Sequence, residues 1–201
     1  MAEMTQEKWE EYFRREKEFY AKQRAENGFC DCDVWHIAHW FYSTISPMLK
    51  QLAEKGISYA ELDEKGNRTF SYNHTKEESA VLAKRWKDTL LHMAFLADEM
   101  DDDKCSMKNP YKDERDRVYE TFEKEYGSMG QKLRTEEEAK TEEELEIYCK
   151  RGPEYDPVHG KEYKKVLDKY SAYNHKISRY KNKCKNEFFR LFSKHFWDLW
   201  D

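Results

Sequence analysis

A chain of 201 residues with 36 Lys and Arg against 41 Asp and Glu carries a net charge of −5, which excludes a global pull toward nucleic acid or anionic membrane and leaves only local ones. Hydrophobic and charged residues each make up 38%, and a mean hydropathy of −1.15 would signal disorder were the apolar residues not so bulky. Six Trp, 14 Tyr and 11 Phe reverse that reading, because each buried aromatic removes roughly 150–250 Å² from water.

Only 7 Gly and 4 Pro leave few obligatory turns. An all-α single domain is therefore expected over residues 1–201, a helical bundle with Glu and Lys outside and aromatics inside. No apolar run reaches the roughly 18 residues of a membrane span, and "MAEMTQEKWEEYF" lacks the basic and apolar regions of a signal peptide. A soluble, unexported chain is expected, with no membrane partner. Five scattered cysteines suit a reducing cytoplasm better than a disulfide framework.

The first helix is predicted from Thr5 to Ala25, with Trp9, Tyr12, Phe13, Phe19 and Tyr20 on one side and Gly28 as its C-terminal cap. The second starts at Asp31 or Asp33 as N-cap. Its stripe is Val34, Ile37, Ala38, Phe41, Ile45, Met48, Leu49 and Leu52, with a bend at Pro47 and a stop at Gly56. Periodicity then fails, and "ISYAELDEKGNRTFSY" reads as a small hairpin or ordered loop within 57–73.

Thr75 with Glu78 forms a capping box that opens a third helix, striped by Leu82, Trp86, Leu90, Met93, Ala97 and Met100. A fourth helix is predicted from Tyr111 to Tyr126, ended by "GSMG". Residues 135–146 hold seven Glu and one Lys, a net of −6, and Thr141 with Glu144 offers another capping box. "RGPEYDPVHG" is a loop. From Lys161 one pattern persists through Val166, Tyr170, Tyr173, Ile177, Tyr180, Cys184, Phe188, Leu191, His195 and Leu199. Unbroken, that helix would be about 60 Å long, so it is expected to kink, split or protrude.

The stretch "GFCDCDVWHIAHW" concentrates potential metal ligands. A wheel from Val34 turns His36, His39 and Trp40 away from the core stripe, and an i, i+3 histidine pair with Cys30 or Cys32 is one way to build a metal site. C-x-C followed by H-x-x-H matches no zinc spacing, so a capped helix start is the preferred reading and no metal or cofactor is expected. Trp40 implies either a central helix packed on both faces or an exposed contact for a partner. On the last helix, Lys161, Lys165, Lys169, Lys176, Arg179, Lys183, Arg190 and Lys194 form one basic stripe. It reads as the wet face of an amphipathic helix, or as a nucleic-acid contact in the rival reading.

No G-x-S-x-G, phosphate loop or dinucleotide fingerprint is present, so no catalytic residue is assigned and an enzyme is not expected. "EESAV" and "EMDD", Glu77, Glu78 and Glu99 to Asp102, resemble parts of the magnesium motifs of all-α nucleoside triphosphate pyrophosphohydrolases. On one helix, however, 22 residues separate Glu77 from Glu99, about 33 Å.

"GFCDCDVWHIAHWFYSTISPMLKQLAEKGISY", "RWKDTLLHMAFLADEM" and "LFSKHFWDLWD" together resemble a family of small α-helical proteins encoded by tailed bacteriophages, over about half of the chain. The first block of that family usually reads D-x-W-N-L-D, so His36 stands in place of Asn and Ala38 in place of Asp. The resemblance implies a viral accessory protein in the cytoplasm of a bacterial host. The expected function is therefore non-enzymatic binding and modulation of a host or phage macromolecule, with host defence as one setting. Its candidate partner contacts are His36, His39, Trp40, Lys165, Lys169, Lys176, Arg179 and Lys183. A metal-dependent nucleotide hydrolase and a nucleic-acid binder are the alternatives.

Overall fold

A computed structural model describes residues 5–71, 73–138, 140 and 151–199, and over these residues the protein is all-α. Its main helices are α1 Gln6–Asn27, α2 Asp31–Trp35, α3 Ile37–Lys55, α4 Lys76–Met100, α5 Lys112–Tyr126 and α6 Gly160–His195. Short 3-10 turns cover Ser128–Leu133, Pro153–Tyr155 and Phe196–Asp198. No helix among the described residues is long and apolar enough to cross a membrane. The chain groups into two compact units, Met1–Cys105 with Asn182–Asp201, and Ser106–Lys181, and α6 contributes residues to each.

In the first unit α4 is the central element. The predicted box forms as expected: Thr75 Oγ1 accepts from Glu78 N at 3.2 Å, and Glu78 Oε2 accepts from Thr75 N at 2.8 Å. Met93, Ala94 and Ala97 are completely buried, and Trp86, Leu90, Leu96 and Met100 are buried around them. Two alanines in the seam let α3 approach closely, with Ser46 and Leu49 buried on its facing side. Phe41 of α3 meets Phe188, Phe189 and Phe192 of α6 at ring distances of 5.9, 5.6 and 6.1 Å.

The second predicted helix is two. It breaks at His36, whose φ of −129° and ψ of 43° lie outside the helical region, while Pro47 is accommodated inside α3 without ending it. The break shifts the phase of the apolar stripe, so Val34 and Ile37, expected in the core, stand 53% and 65% exposed. The N-cap position is Cys30, not Asp31 or Asp33. Asp33 closes the cap from inside the helix, its Oδ2 accepting from Cys30 N at 2.9 Å. Helix α1 carries the predicted aromatics along its length, and Gly28 ends it with φ 80°, but none of its residues is buried.

The segment expected to be a hairpin or loop is a turn with a single antiparallel bridge, Leu62 to Arg68. Asp63 holds it by accepting from Lys65 N, Asn67 N and Asn67 Nδ2 at 2.8, 2.7 and 3.1 Å. Leu62 is buried as its apolar anchor. Arg68 pairs with Asp198, whose Oδ2 lies 3.4 Å from Nδ1 of the buried His195, and Trp86 packs edge-on to that imidazole. The insert is thereby tied to both α4 and the turn that follows α6.

In the second unit, α5 buries Val118 and Phe122. "GSMG" ends it as expected, and Met129 and Gly130 both adopt left-handed conformations at φ 55° and 66°. A Cβ at Gly130 would lie 2.7 Å from the Arg151 carbonyl oxygen and 3.0 Å from the Phe122 ring, so the position admits only glycine. Asn109 donates to the Tyr170 carbonyl at 2.9 Å and to Asn174 Oδ1 at 2.8 Å. Thr135 and Glu138 make a reciprocal cap, whereas the Thr141 and Glu144 box lies outside the described residues. Asp156 starts the last helix, accepting from Val158 N and His159 N at 2.7 Å each. That helix runs 36 residues with no break, about 54 Å.

Two outcomes follow. Gly130→Ala combines a left-handed φ with a backbone clash, so it should cost more than about 1 kcal/mol in urea unfolding, whereas Gly28→Ala, with open space around it, should cost less. For His195, burial pushes the imidazole below its ordinary 6.5 despite the neighbouring Asp198 carboxylate. The unfolded chain then takes the proton more readily, so this contribution is complete above pH 6.5 and is lost as the pH falls through the lowered value. Thermal melts from pH 7.5 to 5 should show a smaller decline in Tm for His195→Asn than for the parent.

Candidate functional site

The N-terminal corner holds the densest chemistry. Arg24, in the last turn of α1, donates from Nε to Asp33 Oδ2 at 2.9 Å and from a terminal nitrogen to Oδ1 at 2.8 Å. This fork, a geometry that carboxylates favour, fixes α2 against the end of α1. Bonding to Arg24 holds the Asp33 carboxyl far below the usual carboxylate range. Gln23 adds a second tie, donating to Asp31 Oδ2 at 2.8 Å and accepting from Asp31 N at 3.0 Å. Trp40, half-buried, donates from its indole to the Gly28 carbonyl at 3.2 Å.

Against that frame sit Cys30 and Cys32, with their sulfurs 2.7 Å apart. With Asp33 they are the group of potential metal ligands found among the described residues. The set fits a metal poorly. Asp33 has both oxygens engaged by Arg24 and Cys30 N, and two sulfurs each about 2.3 Å from one zinc would subtend far less than a tetrahedral angle at this separation. Hydrogen bonding to Cys30, together with burial, pushes the Cys32 thiol up to about 11, against the thiolate that zinc requires. His36 and His39 do not join the group. Both are exposed, and His39 Nδ1 lies 3.3 Å from the Tyr42 hydroxyl.

Beside the corner lies a hollow of about 260 Å³ lined by Phe29, Asp33, Val34, Ile37 and Trp40. Trp40 is half-buried and forms one wall of this hollow. On α1, Trp9 stacks on Phe13 at 5.7 Å and meets Tyr12 edge-on at 6.1 Å, and Trp9, Tyr12, Phe13 and Phe19 are all exposed. Trp35 is 85% exposed.

Comparisons with family models, curated proteins and solved structures find no match.

The remaining predicted residues are placed as follows. Lys165, Lys169, Lys176, Arg179 and Lys183 are all exposed on α6, as the stripe requires, and Lys176 Nζ lies 5.5 Å from the Tyr173 ring centre. Arg190 is drawn into a two-bond pair with Glu187, and Lys194 donates to Asn67 Oδ1 at 3.1 Å, so the C-terminal end of the stripe serves structure. The carboxylates of the hydrolase-like pattern stay apart. Glu77 and Glu99 occupy opposite ends of an unbroken α4, Glu78 is committed to the Thr75 cap, and Glu99 is buried. Sequence reading did not find the Arg24 to Asp33 fork or the Phe29 hollow. The signal available for the fork was a basic residue in the last turn of one helix facing an acidic residue in the first turn of the next.

Asp33→Asn keeps the side-chain shape but removes the charge facing the half-exposed Arg24, and it should lower unfolding stability by about 1 kcal/mol at neutral pH, the upper end for such an ion pair. Because the folded carboxyl is depressed below its ordinary 3.8, the difference from the parent is complete above that pH and shrinks as the pH falls below it. Urea unfolding from pH 6 to 3 would show it.

Proposed function

We propose that the chain is a non-enzymatic interaction protein that binds another protein through the aromatic face of α1, with the Phe29 hollow as a second apolar contact. The observation that carries this reading is that an aromatic-rich 22-residue helix has no buried residue. Large apolar surface left in water is costly, and contiguous patches of it mark interaction surfaces. Trp and Tyr are the side chains that most often anchor protein interfaces. The charge around them selects the partner class. Between Gln6 and Asn27 six Glu are matched by six Lys and Arg, so the face offers no net attraction to phosphate and suits an apolar protein surface such as an amphipathic helix.

The resemblance to tailed-phage proteins supports a viral accessory role in the bacterial cytoplasm, acting on a host or phage protein, with host defence as one setting. A second reading has its own observation: the exposed Lys165, Lys169, Lys176, Arg179 and Lys183 make a basic face suited to nucleic-acid phosphates.

The two readings separate in affinity capture from host cells. The parent should retain a protein partner in high salt, Trp9→Glu/Phe13→Glu should lose it, and Lys176→Glu/Arg179→Glu/Lys183→Glu should keep it. Circular dichroism should stay unchanged, because all five positions are exposed. Retention of the same protein by the first variant overturns the reading, as does capture of nucleic acid alone with steep salt dependence. A parent dimer dissolved by the Trp9→Glu/Phe13→Glu variant in light scattering would make the occupant a second copy and would also overturn it.

A further inference from the structure

We propose that Cys30 and Cys32 form a two-electron redox site, a dithiol that closes to an intrachain disulfide by exchange with a small-molecule disulfide. Three observations carry it. The sulfurs are 2.7 Å apart, nearer to the roughly 2.05 Å of a disulfide than to the roughly 3.7 Å that two thiolates on one tetrahedral zinc would need. Closing the bond leaves Asp33 where it is, still capping Cys30 N and held by Arg24, whereas chelation would have to take a carboxylate oxygen from those partners. The two cysteines also differ in access: Cys30 is 1% exposed and Cys32 is half-buried at the surface of α2.

That asymmetry orders the chemistry. The Cys32 thiolate attacks one sulfur of the external disulfide, forming a mixed disulfide and expelling one thiol. The Cys30 thiolate, already in contact, then attacks Cys32 Sγ, forming the Cys30 to Cys32 bond and expelling the second thiol. The two cysteine protons finish on the two released thiols, the protein pair is oxidised by two electrons, and the external disulfide is reduced by two. Hydrogen bonding to Cys30 and burial raise the Cys32 thiol to about 11, which slows the first attack and leaves ring closure unaffected. The site adjoins the Phe29 hollow through Asp33, which belongs to both, but it does not depend on what occupies that hollow.

The test uses the full chain equilibrated in glutathione redox buffers, alkylated, digested with trypsin and weighed. Residues 25–50 form one tryptic peptide whose only cysteines are Cys30 and Cys32. As the buffer becomes oxidising, this peptide should pass from doubly alkylated to unalkylated and lighter by two hydrogen atoms. Cys30→Ser should stop at a glutathione adduct on Cys32, while Cys32→Ser should stay reduced and unmodified in the folded protein. A peptide that remains doubly alkylated, accumulates two glutathione adducts, or links to another chain overturns the proposal. Zinc at stoichiometric concentration shielding both parent thiols from alkylation also overturns it, in favour of a metal site.

Discussion

The first unit depends on the closeness of α3 and α4. Met93, Ala94 and Ala97 show no surface to solvent, and Ser46 fills the opposite side. Small side chains at a helix crossing bring backbones together, and the larger residues on either side, Leu49, Trp86, Leu90 and Leu96, then lose their contact with water. With α4 covered by α3 along this seam, Phe41 is left aimed at the Phe188 to Phe192 cluster of α6, and a third layer can assemble on it. Besides the buried Leu62, polar groups hold the loop insert: Arg68 to Asp198 and Asp198 to His195, with Trp86 against the imidazole. Burial lowers the His195 imidazole against the pull of the Asp198 carboxylate, which makes that attachment sensitive to pH.

The N-terminal corner is built on a different principle. It buries little. Its geometry comes from directional bonds, the Arg24 fork on Asp33, the Gln23 bonds to Asp31 and the Trp40 indole on the Gly28 carbonyl. Such bonds fix the orientation of α1 and α2 without consuming apolar area, which is why an aromatic helix can be held in place with its aromatics still in water. Under the proposed function, a scaffold that already orients exposed aromatics would lose less freedom on binding.

Those two modes explain which parts of the fold were legible. The α4 stripe from Leu82 to Met100, the Thr75 and Glu78 box, the Gly28 stop and the 3.6-residue pattern from Val166 to His195 are local properties, and each is where periodicity or capping chemistry places it. The reading of Val34 and Ile37 as core, and of one helix from Asp31 or Asp33 to Leu52, failed at His36. Periodicity continues numerically across that residue, and nothing local reports a change of backbone angle there. The basic stripe on α6 was visible in full, but its division into exposed lysines and the structural pair of Arg190 with Glu187 and Lys194 with Asn67 required the partners to be in place.

By itself the sequence determined the all-α class, the positions of most helix ends, the buried face of α4 and the basic face of α6, because helical periodicity and caps act within a few residues. Only the tertiary structure decided that no residue of α1 is buried, that Trp40 walls a hollow, and that Asp33 faces Arg24 with the Cys30 and Cys32 sulfurs in contact. An amphipathic pattern states that a face is apolar, not which surface covers it. That depends on how many apolar faces a chain can bring together, and here the α3, α4 and α6 layers close a core without needing α1.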